Sequence, residues 1–423
     1  MGGREEDILS WVDSQKGRLL DHVSSWAEIS SSSLDATGLQ RMADSLGHAF
    51  GTLGAVRRIS VPPRTWIDDE SQAIEQPLGD VLSIRHVAPR ERLSILLAIH
   101  YDTVYPAGDQ APRVELVDHG KKLRGPGVAD AKGGIAVMFA ALEAFMKLGA
   151  SDLLSWEVLL NADEELGSPG SARLLAEAAG RHDIGFVFEP SLDDAGTLAA
   201  SRKGSGNFHV VISGRAAHAG RAIGDGRNAV VAAARLATTL ADLDDVGRDV
   251  TVNVAAIHGG VALNVVPDRA VLRVNARAAT EADAAWLVSK INEAVAAIDQ
   301  LDGFRANCIG GFHCPPKPLD EPTQRLLQHV ATCAQGLGLT IMAKPTGGAC
   351  DGNKLAAAGL PTIDTLGVRG GGIHSPDEYL VVESLAERAS LVAILLARLA
   401  EGSLNWPRGF RSGAARGGPS SCS

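Results

Sequence analysis

Aromatic side chains are scarce in this chain: Phe, Tyr and Trp make up 4% of 423 residues, so the interior must be filled by Leu, Val, Ile and Ala. Cysteine is equally thin. Cys308, Cys314, Cys333, Cys350 and Cys422 form no Cys-x-x-Cys pair. That excludes a disulfide framework and a thiolate zinc site, and it points to reduced thiols in a cytoplasmic setting. No apolar run reaches the length of a membrane span. The segment Met1 to Asp7 has no apolar h-region, so no signal peptide is expected, and Glu6 stands where a myristoylation signal at Gly2 would need Ser or Thr. Basic residues are the minority, 40 against 50 acidic ones, a net charge of −10. Nucleic acid and anionic membranes are therefore poor partners. Internal repeats are absent. The stretch Arg408 to Ser423, rich in Gly, Ser and Arg, is expected to be disordered.

What is present is a repeated pattern of buried strand, polar tip and helix. The length allows two domains, or one with a large insertion. Leu93 to Ile99 is a nearly continuous apolar run, as in a strand covered on both faces. It ends in His100-Tyr101-Asp102, and alternate residues of an extended segment face one side. Open α/β sheets place ligands at such strand ends. Gly125-Pro126-Gly127-Val128-Ala129-Asp130-Ala131-Lys132-Gly133-Gly134 follows, then an all-apolar buried helix from Ile135 to Leu142. A strand from Trp156 to Asn161 runs into Asp163-Glu164-Glu165-Leu166-Gly167-Ser168. A strand from Ile184 to Phe188 runs into Glu189-Pro190. Ahead of this core, residues 6–57 read as helical, with a second helix from Asp35 to Leu53. Ala55 to Trp66 reads as an edge strand broken by Pro62 and Pro63, and Val81 to Val87 as another strand.

Near residue 204 the rhythm changes. Strands at 208–213, 250–258 and 270–276, helices at 228–243 and 281–298, and a further strand at 304–309 make an inserted α+β unit. From Asp320 the buried pattern resumes, with helices at 324–337 and 385–399. The expected division is 1–203 and 313–407 for the main α/β domain, 204–312 for the insert, and 408–423 for the tail.

Two histidines and five carboxylates cluster at these predicted tips: His100, Asp102, Asp130, Glu164, Glu165, Glu189 and His374, the last in Gly370-Gly371-Gly372-Ile373-His374-Ser375. Nitrogen and oxygen donors without thiolate suit zinc, cobalt or manganese. So many carboxylates in one pocket would repel one another without cations, and two metals sharing an aspartate would relieve that. Of the adjacent pair Glu164-Glu165, one can bind metal while the other moves a proton. Such a pair is usually a solvated surface feature; its place directly after an apolar strand favours function. The glycines at 125, 127, 133 and 134 match neither a Walker nor a dinucleotide pattern.

Five motifs in order, His100-x-Asp102, Gly125-x-Gly127-x-x-Asp130-x-Lys132-x-Gly134, Asp163-Glu164-Glu165-x-Gly167-Ser168, Glu189-Pro190 and His374-Ser375, resemble a dizinc amidohydrolase family. It is the family of acetylornithine deacetylase, succinyl-diaminopimelate desuccinylase, aminoacylase and glutamate carboxypeptidase. Asp102-Thr103-Val104-Tyr105 is most similar to the glutamate carboxypeptidase branch. The resemblance covers roughly residues 90 to 385. It implies a zinc-peptidase-like catalytic domain of mixed sheet and flanking helices, with a ferredoxin-like lid and dimerisation domain. It implies two zinc ions (cobalt or manganese as substitutes), one held by His100 and Glu189, the other by Glu165 and His374, and both by Asp130. Asp102 would orient His100, and Glu164 would be the general base.

In the insert, Ser213-Gly214-Arg215-Ala216-Ala217-His218-Ala219-Gly220 resembles the lid motif whose histidine serves a neighbouring subunit's site as an oxyanion group. By the same resemblance Asn264, Arg277 and Gly348 would hold substrate, an arginine suiting a carboxylate through its bidentate fork. A homodimer acting on a small amide or peptide with a free carboxylate is implied, by carboxypeptidase-like cleavage or N-acyl-amino-acid deacylation. A dipeptidase of the same mechanism and a silent metal-bound binding protein are the alternatives. One departure stands out: Gly310-Gly311-Phe312-His313-Cys314 has no arginine where the glutamate carboxypeptidase branch has a second cationic residue. His86, His119, His182, His258 and His329 lie outside every motif and read as surface or core histidines.

Overall fold

The computed structural model describes residues 3–106 and 113–411. The chain opens with helices α1 (Gly3–Ser14), α2 (Lys16–Ala27) and α3 (Ala36–Phe50). The first helical stretch is thus two helices, parted at Gln15, and α3 begins where the Asp35 side chain accepts the Gly38 N–H. Strand β1 (Val56–Ile59) lies at a sheet edge, and past Pro62 and Pro63 the chain forms a separate hairpin, β2 (Arg64–Ile67) with β3 (Ala73–Gln76). The sequence hid β3 because three of its four residues are exposed, leaving no apolar alternation to read.

Next come β4 (Val81–His86), β5 (Leu93–His100), the short β6 (Glu115–Val117) and β7 (Lys122–Arg124), helix α4 (Gly134–Leu148), β8 (Leu154–Asn161), α5 (Ala172–Ala179), β9 (Ile184–Val187) and β10 (Leu198–Arg202). The insert holds β11 (Gly204–Ser213), α6 (Ala229–Ala241), β12 (Val250–Gly259), β13 (Arg269–Ala278), α7 (Glu281–Asp299) and β14 (Arg305–Cys314). The chain closes with α8 (Glu321–Gly336), β15 (Ala343–Thr346), α9 (Asp351–Ala357), β16 (Thr362–Ile363), the two-residue β17 (Gly370–Gly371), β18 (Tyr379–Val381) and α10 (Glu383–Glu401).

The central sheet has the order β1-β4-β8-β5-β9-β16. Strands β8, β5, β9 and β16 run parallel, and β4 alone runs the other way, antiparallel to both of its neighbours β8 and β1. This mixed sheet brings the C-terminal ends of β5, β8 and β9 to one edge, where the polar tips follow. Both faces are covered: β5 and β8 are buried at every residue, as their unbroken apolar runs require. Helices α4 and α10 sit in the principal core, and α4 is buried on almost every side. Its N-terminus approaches β9 so closely that a Cβ at Gly134 would lie 1.9 Å from the Phe188 carbonyl oxygen. Only glycine fits there, and this contact fixes the Asp130 loop beside Glu189.

The insert has its own sheet, β12-β13-β11-β14, and its own core around Phe208, Ile212, Leu236, Leu272, Leu287 and Ile291. Along β13, Leu272, Val274, Ala276 and Ala278 are buried, whereas Arg273, Asn275 and Arg277 alternate on the other face. The last strand of the insert runs on to Cys314. In the closing segment, at the start of the tail expected to be disordered, Arg408 donates to the Arg92 carbonyl and Phe410 packs on Trp406. The remainder of that expected tail lies outside the described residues.

Candidate active site

Three strand ends and one loop converge at the sheet edge. His100 closes β5, Glu165 follows β8, Glu189 follows β9, and Asp130 sits ahead of α4. Two ligand triads result, His100-Asp130-Glu189 and Asp130-Glu165-His374, with Asp130 common to both. The Nε2 of His100 lies 3.0 Å from Asp130 Oδ1 and 3.9 Å from Glu189 Oε1. The Nε2 of His374 lies 3.3 Å from Asp130 Oδ2 and 3.3 Å from Glu165 Oε2. The two carboxylate oxygens of Asp130 thus face different histidines. His374 reaches in from a tight loop at φ 62°, in the left-handed region.

The charges need compensation. Burial raises the carboxyls of Glu164 and Glu165, and pushes Glu189 up to about 8. Burial also disfavours ionised Asp130, but hydrogen bonds from His100 and His374 hold it below the usual carboxylate range. Hydrogen bonds to Asp130 and Glu165 lift His374 to about 10. His100 is lifted well above its usual value, its bonds to Asp102 and Asp130 outweighing burial. Glu165 Oε1 and Glu189 Oε1 are buried without a hydrogen-bond partner. Orphaned carboxyl oxygens in both triads, with imidazole nitrogens opposite, are what a pair of divalent metals would satisfy. The donor set fits zinc.

Asp102 does more than touch His100. The Nδ1 of His100 is 2.9 Å from the Asp102 carbonyl oxygen and 3.3 Å from its Oδ1. The Asp102 carboxylate also accepts the N–H groups of Glu164 and Glu165, each at 3.2 Å, and the Ser33 hydroxyl at 2.6 Å. One buried aspartate therefore sets both a ligand histidine and the Glu164-Glu165 turn. Glu164 belongs to neither triad and opens onto a cavity of about 580 Å³ that Glu165, His374 and Arg277 also line.

Not every expected residue arrives there. His218 and Asn264 do not line this cavity; they lie together in the insert, the Ala219 N–H bonding the Asn264 carbonyl. Gly348 is one residue from the wall, which Ala349 forms, and its carbonyl accepts from Arg202. Lys203 pairs with Asp249 at 2.6 Å, and Cys350 caps α9.

The sequence reading missed Glu378. Buried, it accepts the N–H groups of Gly127, Ala129 and Asp130 and the Tyr105 hydroxyl. Its only signal was an acid four residues past His374. Also missed was the buried ion pair of Lys354 with Asp351 at 2.9 Å, beneath the cavity.

Comparison with known proteins agrees with this geometry. The model of peptidase family M20/M25/M40 matches residues 96–398. Carboxypeptidase G2 of Pseudomonas sp. (strain RS-16) is 32% identical over 311 residues, covering 73% of this chain and 74% of that protein. Succinyl-diaminopimelate desuccinylase of Albidiferax ferrireducens is 28% identical over 296 residues, 66% of this chain and 73% of that one. The solved structure of the di-peptidase Dug1p from Saccharomyces cerevisiae superposes with a TM-score of 0.74 at 15% identity, over 95% of this chain and 99% of that one, a likeness of fold. With the motifs, the shared-aspartate triads and these matches together, the chain belongs to the peptidase family M20/M25/M40 and is a metal-dependent hydrolase with a dinuclear zinc centre.

Proposed function

We propose that this enzyme hydrolyses an amide bond to release an amino acid, by carboxypeptidase-like cleavage or by N-acyl-amino-acid deacylation. The observation that carries the reading is Glu164, which stands outside both triads yet shares one cavity with them and with Arg277. His100, Asp130, Glu189, Glu165 and His374 would hold the zinc pair, which supplies an electrophile for the carbonyl and lowers the pKa of water. Glu164 takes a proton from the attacking water and delivers it to the leaving nitrogen as the C–N bond breaks. Asp102 is a positioning residue that keeps Glu164 and His100 in place. Arg277, whose guanidinium bonds the Gly347 carbonyl at 2.6 Å, would take the free carboxylate of a small amide or peptide substrate beside Gly348.

A second copy of the chain would supply His218 and Asn264. His218 is exposed on the insert, near the fully exposed Val261 and Leu263, and β12 is an edge strand. Those features suit a homodimer joined through the insert, with His218 steadying the oxyanion in its partner's cavity. Among the described residues no helix is long and apolar enough to cross a membrane. The four described cysteines are unpaired, which suits a reducing compartment, and we place the enzyme in the cytoplasm.

A panel of N-acyl amino acids, dipeptides and glutamyl amides tests the reading. Turnover is expected with zinc and is expected to vanish on chelation. Glu164→Ala should lower kcat by about 10²–10⁴-fold while zinc content stays at two per chain. Full activity of that variant would remove Glu164 from the mechanism. The best substrate would separate carboxypeptidase, deacylase and dipeptidase, and no turnover with both metals bound would leave a binding protein.

A further inference from the structure

The cavity over the zinc centre extends along the insert's sheet. Arg273, Asn275 and Arg277 of β13 line it, and in register beside them stand His209, Asn207 and Ser205 of β11. The tiers are linked: Arg277 Nε donates to Asn275 Oδ1 at 3.2 Å, and Asn275 Nδ2 donates to Asn207 Oδ1 at 2.8 Å and Ser205 Oγ at 3.1 Å. Four residues of strand separate Arg273 from Arg277, so this polar wall is roughly 13–14 Å long.

Hairpin β2–β3 closes the Arg273 end. Asp69 in its turn pairs with Arg273 at 2.6 Å, and Arg273 also donates to the Ile67 carbonyl at 3.1 Å. The Trp66 ring has two guanidinium groups beside it, those of Arg64 and Arg273, each 5.7 Å from the ring centre.

Apart from histidines, four cationic side chains line the cavity: Arg64, Arg273, Arg277 and Lys354. Asp69 neutralises Arg273 and Asp351 neutralises Lys354. Burial lowers the pKa of both His209 and His313 below the usual histidine value, so neither adds a positive charge near neutral pH. Arg64 and Arg277 remain. Among the described residues neither has a carboxylate within 4.0 Å. Arg64 Nε donates only to the neutral amide of Gln76, at 2.8 Å. Its partial burial without an anion is unfavourable, and burial already pulls its pKa down.

An unpaired guanidinium thus stands at each end of one walled cavity that also holds the catalytic carboxylate. We infer that Arg64, backed by Trp66, receives a second anionic group, so that the substrate is an amide whose acyl half carries a carboxylate of its own. This rests on the hydrolase reading above, with Arg277 taking the carboxylate of the amino-acid half. A bidentate ion pair at Arg64 supplies the missing charge and discriminates against neutral acyl groups, which would leave the guanidinium desolvated and unpartnered.

The test compares acyl groups of matched length on one amino acid: succinyl, glutaryl and adipoyl against butyryl, pentanoyl and hexanoyl, using the zinc-loaded enzyme. The quantity read is the ratio of kcat/KM for the acidic acyl to that for its neutral match. For the wild type a ratio of ten or more is expected at the best chain length, carried mainly by KM. In Arg64→Gln it should fall to about one, and Arg64→Lys should keep part of it. If Arg64 were only a packing element for Trp66, both substrates would lose activity together and the ratio would hold. A wild-type ratio near one, or a ratio unmoved in Arg64→Gln, overturns the inference while leaving the hydrolase reading intact. Failure of the wild type to cleave either series overturns the hydrolase reading and this one with it.

Discussion

At the scale of single residues, His313 shows how burial sets chemistry. It lies in the segment Gly310 to Cys314, which has no arginine, and its ring packs on Gly167, next to the Glu164-Glu165 turn: a Cβ at Gly167 would lie 2.5 Å from its Cδ2. Burial, with Lys354 adding to it, pushes its pKa down from 6.5 to about 4. The folded protein therefore binds fewer protons than the unfolded chain between those values. Stability supplied by neutral His313 is present above pH 6.5 and is lost as the pH falls toward 4. The loss is on the order of 1–3 kcal/mol, since each tenfold change in proton affinity is worth about 1.4 kcal/mol. Urea titrations of wild type and His313→Gln across that window should show the variant with a flatter acid limb; parallel curves would count against it. The segment's lack of an arginine was legible in the sequence, but the lowered pKa of His313 was not, because it depends on burial against Gly167 and on the charge of Lys354, brought close only by the fold. The five metal-ligand candidates, by contrast, were all legible, because each follows a recognisable strand or glycine-rich loop. Asp102 was legible as a partner of His100, though its grip on the Glu164 and Glu165 N–H groups arises only when β5 and β8 lie side by side.

At the scale of elements, the loop from Gly127 to Asp130 is held from outside by Glu378, ahead of β18. Oε1 accepts the Ala129 and Asp130 N–H groups at 2.8 and 2.9 Å, and Oε2 accepts Gly127 N–H at 3.1 Å and the Tyr105 hydroxyl at 2.5 Å. The three N–H groups can only donate, and they reach both oxygens of Glu378, so the site demands two acceptor oxygens. Glu378→Gln turns an NH₂ toward donors and leaves buried N–H groups unpaired. Its expected effect is a loose Asp130, read as zinc affinity lowered about 10–100-fold in competition with a chelator. Zinc affinity equal to wild type would show that the loop holds itself. The elements that sequence patterning revealed are the ones with a strong period: all-apolar β5, β8 and α4, and alternating β11, β12 and β13. Those it hid are short and polar, such as β3, β6 and β7, whose shape is set by pairing partners rather than by their own apolar pattern. Arg64 and Trp66 fall in the edge strand read from the sequence, but their partner β3 belongs to this hidden class, so the hairpin that forms the far wall of the cavity could not be read in advance.

At the scale of the whole molecule, one chain encloses the zinc centre and Glu164 but leaves His218 exposed and out of the cavity. The motif around His218 resembles a lid motif in the sequence, yet whether that histidine would act in its own subunit or in another depends on how two surfaces meet, and a single sequence does not encode that as a local pattern. If the proposed homodimer exchanges His218, activity is a property of the pair and can be split between chains. Glu164→Ala and His218→Ala should each form a nearly inactive homodimer. Mixed under conditions that exchange subunits, half of the dimers become hybrids. In each hybrid, one site combines the intact Glu164 of one chain with the intact His218 of the other, while the second site lacks both. Recovery of about a quarter of wild-type activity is therefore expected from random pairing of equal amounts. If His218 served its own chain, every site in a hybrid would lack one of the two groups and mixing would restore nothing. Light scattering of each variant before mixing checks that the dimer itself persists, so that a silent mixture reports on the donated histidine and not on assembly. Adding Val261→Glu and Leu263→Glu to both chains should then abolish the recovery, because the exposed apolar pair beside Asn264 would no longer be buried against a second copy.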